Sequence, residues 1–503
     1  MIKIMKRKKI LTADFVFYLT LCLVSFVFLS IFSYYTSPFS TCDNGYDAAF
    51  FRLVGQGMVN GYLPYRDFFD MKGPFLFFIE YLGQLLSYGR LGIFIIQCIN
   101  LFFSLFLISK ILDRFQMNNR FLQLSLMLPL AYIASFTFEG GNLTEEFSLI
   151  PLLLCLLTCL IFFGKSEDPS RRWQFRFFWY AGALFGFCFG LLLMIRVTNA
   201  ALICAMVVAV VLSLLKKHKT RQLLICAGMF LVGLIVALSP AILFFGMKDL
   251  LSEMFEAMFF LGGKYSREKS FIQHVVETLQ SNRKQQLLLI VIPCFTPFIL
   301  HWKGRIERFL IFVGSVSTFL AIASGNNYTH YYTLTIPLLL LCEISIVDSI
   351  RNKIGKRAIV AAVLTFVMLL SQFSIMKHYL ESAYVHLFQQ NRFNTEQSVQ
   401  DISSRIPVED YQSVFCYNLN PSWYTYAGLF PCIKYCGWQN HYLALMPEIY
   451  DDFQIAFSIS PPAWLVLPES KGELPLFLEE MLISDYQLVY QNSSYALFHF
   501  QGS

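Results

Sequence analysis

Charge is the scarcest commodity in this chain. Only 14% of its 503 residues are Asp, Glu, Lys or Arg, against roughly 25% in a soluble globular chain. Hydrophobic residues make up 56% and aromatic residues 17%. That composition excludes a water-soluble enzyme and indicates a multi-pass membrane protein. The formal net charge of +6 is small and unevenly placed, so it reports topology and argues against nucleic acid as a partner. Metal-type spacing of Cys with His is also missing. Nine of the 13 cysteines lie in apolar segments, among them Cys155, Cys159 and Cys204, and read as small packing residues. No internal repeat or low-complexity tract occurs, which weighs against transporters built from inverted repeats. No small-residue cleavage site follows the basic residues 1–9 and the apolar run 15–35, so this stretch reads as an uncleaved first helix.

What is present is apolar sequence in spanning lengths. Segments recur at 13–35, 91–112, 121–138, 147–164, 176–195, 198–215, 222–246, 286–301, 309–325, 331–349 and 358–377. These are eleven expected spans, each compatible with a membrane helix. With the N-terminus in the cytoplasm, loops 110–120, 165–176, 216–221, 303–308 and 351–357 fall inside, and each carries three or four Lys or Arg. Loops 139–146 and 325–330 fall outside and carry none, as the positive-inside rule requires. Residues 75–88 are apolar but short, contain Glu80, and would reverse this charge pattern if counted as a span, so they are expected to form an interfacial helix. Residues 36–90 then form a large first outer loop, with a helix over 47–58. Within 247–284, Leu250, Leu251, Met254, Phe255, Met258 and Phe259 recur at helical spacing, predicting an amphipathic helix on the membrane surface. Residues 1–377 form the transmembrane domain. Residues 378–503 form an extracytoplasmic α/β domain, with strands expected at 414–417, 464–467, 487–490 and 495–500 and a helix at 473–483. Cys42, Cys416, Cys432 and Cys436 fall outside, where a disulfide is an option.

Acids and bases held close to lipid are costly and usually mark chemistry or a permeation path. The first outer loop carries Asp43, Asp47, Asp67 and Asp70 with Arg52, Arg66 and Lys72. Gly55, Gly57, Gly61, Pro64, Gly73 and Pro74 set defined turns between them. The alternative is a loop that merely packs under the C-terminal domain. The second outer loop supplies Asn142, Glu145 and Glu146, and the two glutamates at a helix start also fit a pure capping role. Arg196, with Asn199, joins two spans at the outer face, where it either snorkels to headgroups or meets an anion. His330, beside Tyr331 and Tyr332, opens the tenth span, and an aromatic belt accounts for the tyrosines. Carboxylates, cations, Asn and His thus gather on the outer face from loops far apart in sequence. Such a mixture suits sugar transfer from a lipid-linked phosphate. One carboxylate accepts a proton from the incoming hydroxyl, and cations stabilise charge on the departing phosphate.

These stretches resemble a known group. Tyr46-Asp-Ala-Ala-Phe-Phe-Arg-Leu-Val-Gly-Gln-Gly-Met58, Gly61-Tyr-Leu-Pro-Tyr-Arg-Asp-Phe-Phe-Asp-Met-Lys-Gly-Pro74, Gly140-Gly-Asn-Leu-Thr-Glu-Glu146 and Tyr328-Thr-His-Tyr-Tyr332 are similar to bacterial members of the glycosyltransferase C superfamily. The relevant members are related to protein O-mannosyltransferases and to the aminoarabinose transferase of lipid A. The resemblance covers most of the chain, and its motifs are most specific in the first outer loop. It implies an inverting transferase with a polyprenyl-phosphate sugar as donor. It implies Asp47 as catalytic base, with Asp43 a near competitor, and Lys72 and Arg196 on the donor phosphate. Where many relatives carry an Asp-Glu pair, Ala48 follows Asp47 here, and Met71 stands where some relatives have Glu. Those departures put any inherited divalent-metal site in doubt, although Asp70 or Glu145 could substitute.

The combined reading is a polytopic α-helical membrane protein of glycosyltransferase C type. It moves a sugar from polyprenyl phosphate to a cell-envelope polymer, lipid or protein at the outer leaflet. Asp43, Asp70, Asn142, Glu145, Glu146 and His330 would orient sugar or acceptor. Two rivals stay open: a transporter or flippase of lipid-linked saccharides, and a non-catalytic envelope-assembly protein.

Overall fold

The computed structural model describes residues 2–41, 45–164, 171–261, 263, 270–281, 283–302, 305–324, 327–352, 355–389, 395–470 and 472–502. The chain divides into two compact units, each assembled from three separate stretches. The first comprises Met1–Ser33, Ile95–Leu243 and Lys269–Ser382, the second Tyr34–Phe94, Phe244–Glu268 and Ala383–Ser503.

Helices dominate the first unit: α1 (Ile2–Phe32), then after the first outer loop and its helices α2 (Tyr46–Val59) and α3 (Pro74–Leu86), α4 (Arg90–Arg114), α5 (Arg120–Thr137), α6 (Thr144–Gly164), α7 (Arg171–Leu193), α8 (Ala201–Lys216) and α9 (Thr220–Gly246). All eleven expected apolar segments coincide with helix. Among the described residues, seven helices are long and apolar enough to cross a bilayer. The bent pair Lys356–Ser371 and Phe373–Phe388, which meet at 44°, makes an eighth if counted as one span. The segments Arg120–Thr137, Lys284–Ile299 and Arg305–Ala323 are helical but do not reach that combination of length and apolarity. The protein is a multi-pass membrane protein.

Close packing explains part of the first unit. Lipid provides no hydrophobic drive between helices, so small residues that let backbones approach do the work. An added Cβ on Gly186 of α7 would lie 1.8 Å from the carbonyl oxygen of Phe230, and one on Gly233 of α9 would lie 1.9 Å from that of Ala183. At the opposite end of the first unit's span α1, Arg120 donates to Asp14, Asp113 and Gln123, and Lys110 donates to Tyr18.

Within the second unit, α3 has only 13 residues, about 20 Å of helix, too short for a hydrocarbon core of roughly 30 Å. The segment after α9 forms a short helix, Leu251–Phe255, that runs directly into a single π-turn, Glu256–Leu261. Of the six apolar residues expected to share one helix face, Leu250, Met254 and Met258 are buried there while Phe255 and Phe259 remain more exposed. The C-terminal stretch carries a four-stranded sheet in the order β1-β2-β4-β3, with β1 Val414–Cys416, β2 Trp464–Pro468, β3 Tyr486–Gln491 and β4 Tyr495–Phe500. β1 and β2 are parallel and joined through the helix Pro447–Ile459, whereas β4 pairs antiparallel with both β2 and β3. Phe415, Phe453, Phe457 and Phe477 form its aromatic core.

Candidate active site

The first outer loop folds onto α2 and α3 rather than trailing in solvent. Gly57 lets Phe68 lie against α2, since a Cβ there would sit 2.5 Å from the Phe68 ring. Asp67 is used in the turn itself: it accepts from the Leu63 amide at 2.6 Å and pairs with Arg66. Tyr65, in the left-handed region at φ 70°, turns inward and donates its hydroxyl to the Lys72 carbonyl at 2.8 Å. Gly73-Pro74 then starts α3, with Pro at a helix start where its missing N–H costs nothing. Lys72 therefore stands just before a helix N-terminus, where the backbone dipole favours an anion.

Lys72 and Asp70 form the charged centre of this loop. The Lys72 ammonium lies 3.3 Å from Asp70 Oδ1 and 5.5 Å over the Phe51 ring, with its side chain 20% exposed. Asp70 is buried, and desolvation pushes its carboxyl above the usual range despite the neighbouring Lys72; the charge of Asp47 pushes it in the same direction. Asp47, in the first turn of α2, is thus an electrostatic neighbour of the Asp70–Lys72 pair. The Asp47 carboxylate is half-buried and accepts a hydrogen bond of 3.2 Å from the Trp438 indole. Tyr46, beside it, accepts from the Trp438 amide at 2.6 Å, and the two rings stand 4.3 Å apart. Burial holds the Tyr46 phenol protonated well above its ordinary range.

Arg52, a loop cation in the sequence, is buried in α2 at 2% exposure, and burial with neighbouring Arg90 pulls it down to about 10. Its partner Thr425 lies at 3.4 Å. It is a packing residue of the second unit. Asp43 and Cys42 lie outside the described residues. Cys416, Cys432 and Cys436 are free thiols.

The first unit holds a separate polar network. Residues Glu139, Gly140, Gly141 and Asn142 all have positive φ, 47°, 91°, 91° and 66°, and a Cβ on Gly141 would lie 1.8 Å from Ser33 Oγ. This forced turn delivers Glu139 to His330 and to the Tyr379 hydroxyl, the latter at 2.6 Å. Burial pushes Glu139 up, but His330, Tyr379 and Arg283 outweigh it and hold the carboxyl down at about 2. Arg196 pairs with Glu145 at 3.1 Å, donates to the Tyr331 hydroxyl and lies 4.0 Å over the Tyr331 ring. Glu145 is 1% exposed, and its second oxygen has no hydrogen-bond partner among the described residues. Glu146 is buried and accepts from Gln97 at 2.7 Å, and Asn142 is fully buried.

The predicted residues therefore fall into two groups. Asp47, Asp70 and Lys72 belong to the second unit, and Asn142, Glu145, Glu146, Arg196 and His330 to the first. Sequence reasoning missed Glu139, Tyr331 and Trp438. Tyr331 stood inside a quoted motif and Glu139 directly precedes another, whereas nothing near Trp438 in sequence announces its partner 391 positions away. Among the described residues, no group of three or more His, Cys, Asp or Glu is placed to hold a metal ion. Asp70 and Glu145, the acids that could substitute in such a site, are each paired with a cation.

No family model matches the sequence, and no curated protein does. Solved structures do match its fold. ArnT from Cupriavidus metallidurans in the apo state is similar with a TM-score of 0.60 at 13% identity, covering 97% of this chain and 98% of that one. ArnT from the same organism bound to undecaprenyl phosphate gives 0.59 at 12% identity over the same shares. The chain therefore shares the fold of these two ArnT structures over nearly its whole length.

Proposed function

We propose that this protein is an inverting glycosyltransferase that moves a sugar from a polyprenyl-phosphate donor to a cell-envelope acceptor at the outer leaflet. The observation that carries the reading is the grouping of Asp47, Asp70 and Lys72 in one unit of this fold. An ArnT of the same fold has been captured with undecaprenyl phosphate, which supports a lipid-linked phosphate as the donor here.

In this mechanism the acceptor hydroxyl attacks the anomeric carbon from the face opposite the phosphate. Asp47 takes the hydroxyl proton as the new C–O bond forms. The bond between the anomeric carbon and the phosphate oxygen breaks, and polyprenyl phosphate departs with the electron pair. Lys72 stabilises the charge growing on that phosphate, helped by the α3 N-terminus. The phosphate is already a good leaving group, so no second acid is assigned, unlike in most glycosidases. Asp70 orients Lys72 through their ion pair. Arg196 is a second candidate for the phosphate, because Glu145 and Tyr331 occupy only part of its five-donor guanidinium. The roles of Asn142, Glu145, Glu146 and His330 are to hold the first unit's polar network in shape for substrate. The C-terminal stretch, and with it Asp47, faces the cell exterior, in line with the basic residues of the opposite loops. No step is assigned to a metal.

The test is release of free polyprenyl phosphate from radiolabelled polyprenyl-phosphate sugars by the purified protein. Asp47→Asn should abolish release while expression and membrane insertion stay intact. Near-normal transfer by that variant would remove Asp47 from the role. A transporter would move the labelled lipid without releasing polyprenyl phosphate.

A further inference from the structure

We propose that Trp438 is a positioning residue for Asp47, its indole N–H holding one carboxylate oxygen so that the other is presented to the acceptor hydroxyl. This rests on the reading of Asp47 as the base.

The contact joins residues 391 positions apart within the second unit: Trp438 Nε1 donates to Asp47 Oδ1 at 3.2 Å. Among the described residues no other hydrogen bond reaches the Asp47 carboxylate. A carboxylate swings broadly about its terminal torsion, so a base with no fixed oxygen spends much of its time misaimed, and misplacement of an ångström is costly in rate. An indole suits the task because it is a donor only. It grips the anion yet can neither take the proton that Asp47 must accept nor change charge over the working pH range.

Local structure gives no other reason for a tryptophan here. Trp438 has φ 54° and precedes the short helix Gln439–Leu445. The left-handed region favours Gly or Asn, and a helix cap favours Ser, Thr, Asp or Asn. A bulky aromatic violates both preferences. It is held in place by the hydrogen bond that its backbone N–H donates to the Tyr46 hydroxyl, by the ring contact with Tyr46 and by the hydrogen bond to Asp47. The preceding Gly437 admits Phe50 so closely that a Cβ would sit 3.0 Å from its ring, and the Phe69 amide donates to the Lys434 carbonyl at 2.9 Å. Segment 434–438 is thus clamped along the elements that carry Asp47 and Lys72. Trp423 shows what a packing tryptophan looks like in the same stretch: it is 1% exposed and its indole nitrogen has no partner among the described residues. Trp438 is 37% exposed with its nitrogen on the carboxylate.

Phenylalanine separates the two roles, since it keeps a ring against Tyr46 and removes only the donor. Full-length wild type, Trp438→Phe, Trp438→His and Asp47→Asn would be assayed by polyprenyl phosphate release from a panel of radiolabelled polyprenyl-phosphate hexoses and pentoses. Trp438→Phe should lower kcat about tenfold or more, the equivalent of one hydrogen bond to a charged group. Donor KM and melting temperature should match wild type. Trp438→His, whose ring N–H can donate, should recover part of kcat. Wild-type kcat in Trp438→Phe overturns the proposal, as does a loss that tracks a fall in melting temperature and is not relieved by His. If Asp47→Asn is inactive and Trp438→Phe is normal, only the positioning role falls. If Asp47→Asn is as active as wild type, the base assignment falls and takes this inference with it.

Discussion

Gly55→Ala tests whether the contact between α2 and α3 sets the geometry of the site. At that crossing the helices touch with no side chain between them. A Cβ on Gly55 would lie 2.8 Å from Glu80 Cβ, 2.9 Å from the Glu80 carbonyl carbon and 3.0 Å from its oxygen. Carbon atoms prefer about 3.5–4.0 Å, so the helices must part by roughly 0.7 Å or more. Two of the three obstructing atoms are backbone, and the strain cannot be relieved by a rotamer change. Overpacking of this kind costs about 1–3 kcal/mol. Alanine recovers up to about 1 kcal/mol of helix propensity, leaving a net loss of about 0–2 kcal/mol. Asp47 lies eight residues before Gly55 on α2, about 12 Å along the helix, and Lys72 directly precedes α3. A wedge between the helices therefore changes the Asp47–Lys72 spacing, and kcat should fall about tenfold. Gly228→Ala is the control: it is the same change inside α9, with no heavy atom within 4 Å of the new Cβ, and should leave melting temperature level or slightly raised. The assay is melting in detergent by scanning fluorimetry together with polyprenyl phosphate release. Gly55→Ala that melts with Gly228→Ala and turns over at the wild-type rate would refute the reasoning.

Lys72→Met keeps the length of the side chain and its contact with Phe51 but deletes the ammonium, and should cut polyprenyl phosphate release at least tenfold while protein yield is unchanged; unaltered kcat and KM would take Lys72 off the phosphate. Glu139→Gln should destabilise the first unit at neutral pH. The Glu139 carboxyl is held at about 2 against its ordinary 4.5, which corresponds to about 3 kcal/mol. Because that value is depressed, the contribution is fully present above pH 4.5 and disappears as pH falls toward 2. The melting gap between wild type and Glu139→Gln should accordingly be widest near pH 5–6 and narrow below 4.5; it should also narrow in alkali, as His330, which burial lowers but Glu139 raises on balance above its ordinary 6.5, loses its proton. A gap that widens in acid would contradict the pairing with His330.

The apolar periodicity made the helices legible because lipid imposes one requirement on every span, and that requirement is local in sequence. The four C-terminal strands were equally readable, each within one or two residues of its expected place, because a β-strand's alternation and its flanking turns are also local. Partners were harder. Arg52 looked like a loop cation, and only the packing of α2 shows it buried. Glu139 looked like one acid among three, and a run of four positive φ values was needed to bring it to His330. The π-turn at Glu256–Leu261 left no trace in a hydrophobic pattern that suits an α-helix equally well. Trp438 was invisible for the plainest reason, since its contact with Asp47 is made across most of the chain.

The composite build of the second unit has a consequence for synthesis. The α2–α3 hairpin leaves the ribosome early, while the stretch beginning at Ala383 follows Phe94 by about 290 residues. At roughly 5–20 residues per second the hairpin waits about 15–60 s for its cover. During that interval Phe50 and Phe69, later shielded by Gly437, Tyr435 and Tyr442, stand bare. A nascent chain stalled or clipped before residue 434 would display them permanently, giving folding surveillance a ready mark by which to tell unfinished copies from complete ones.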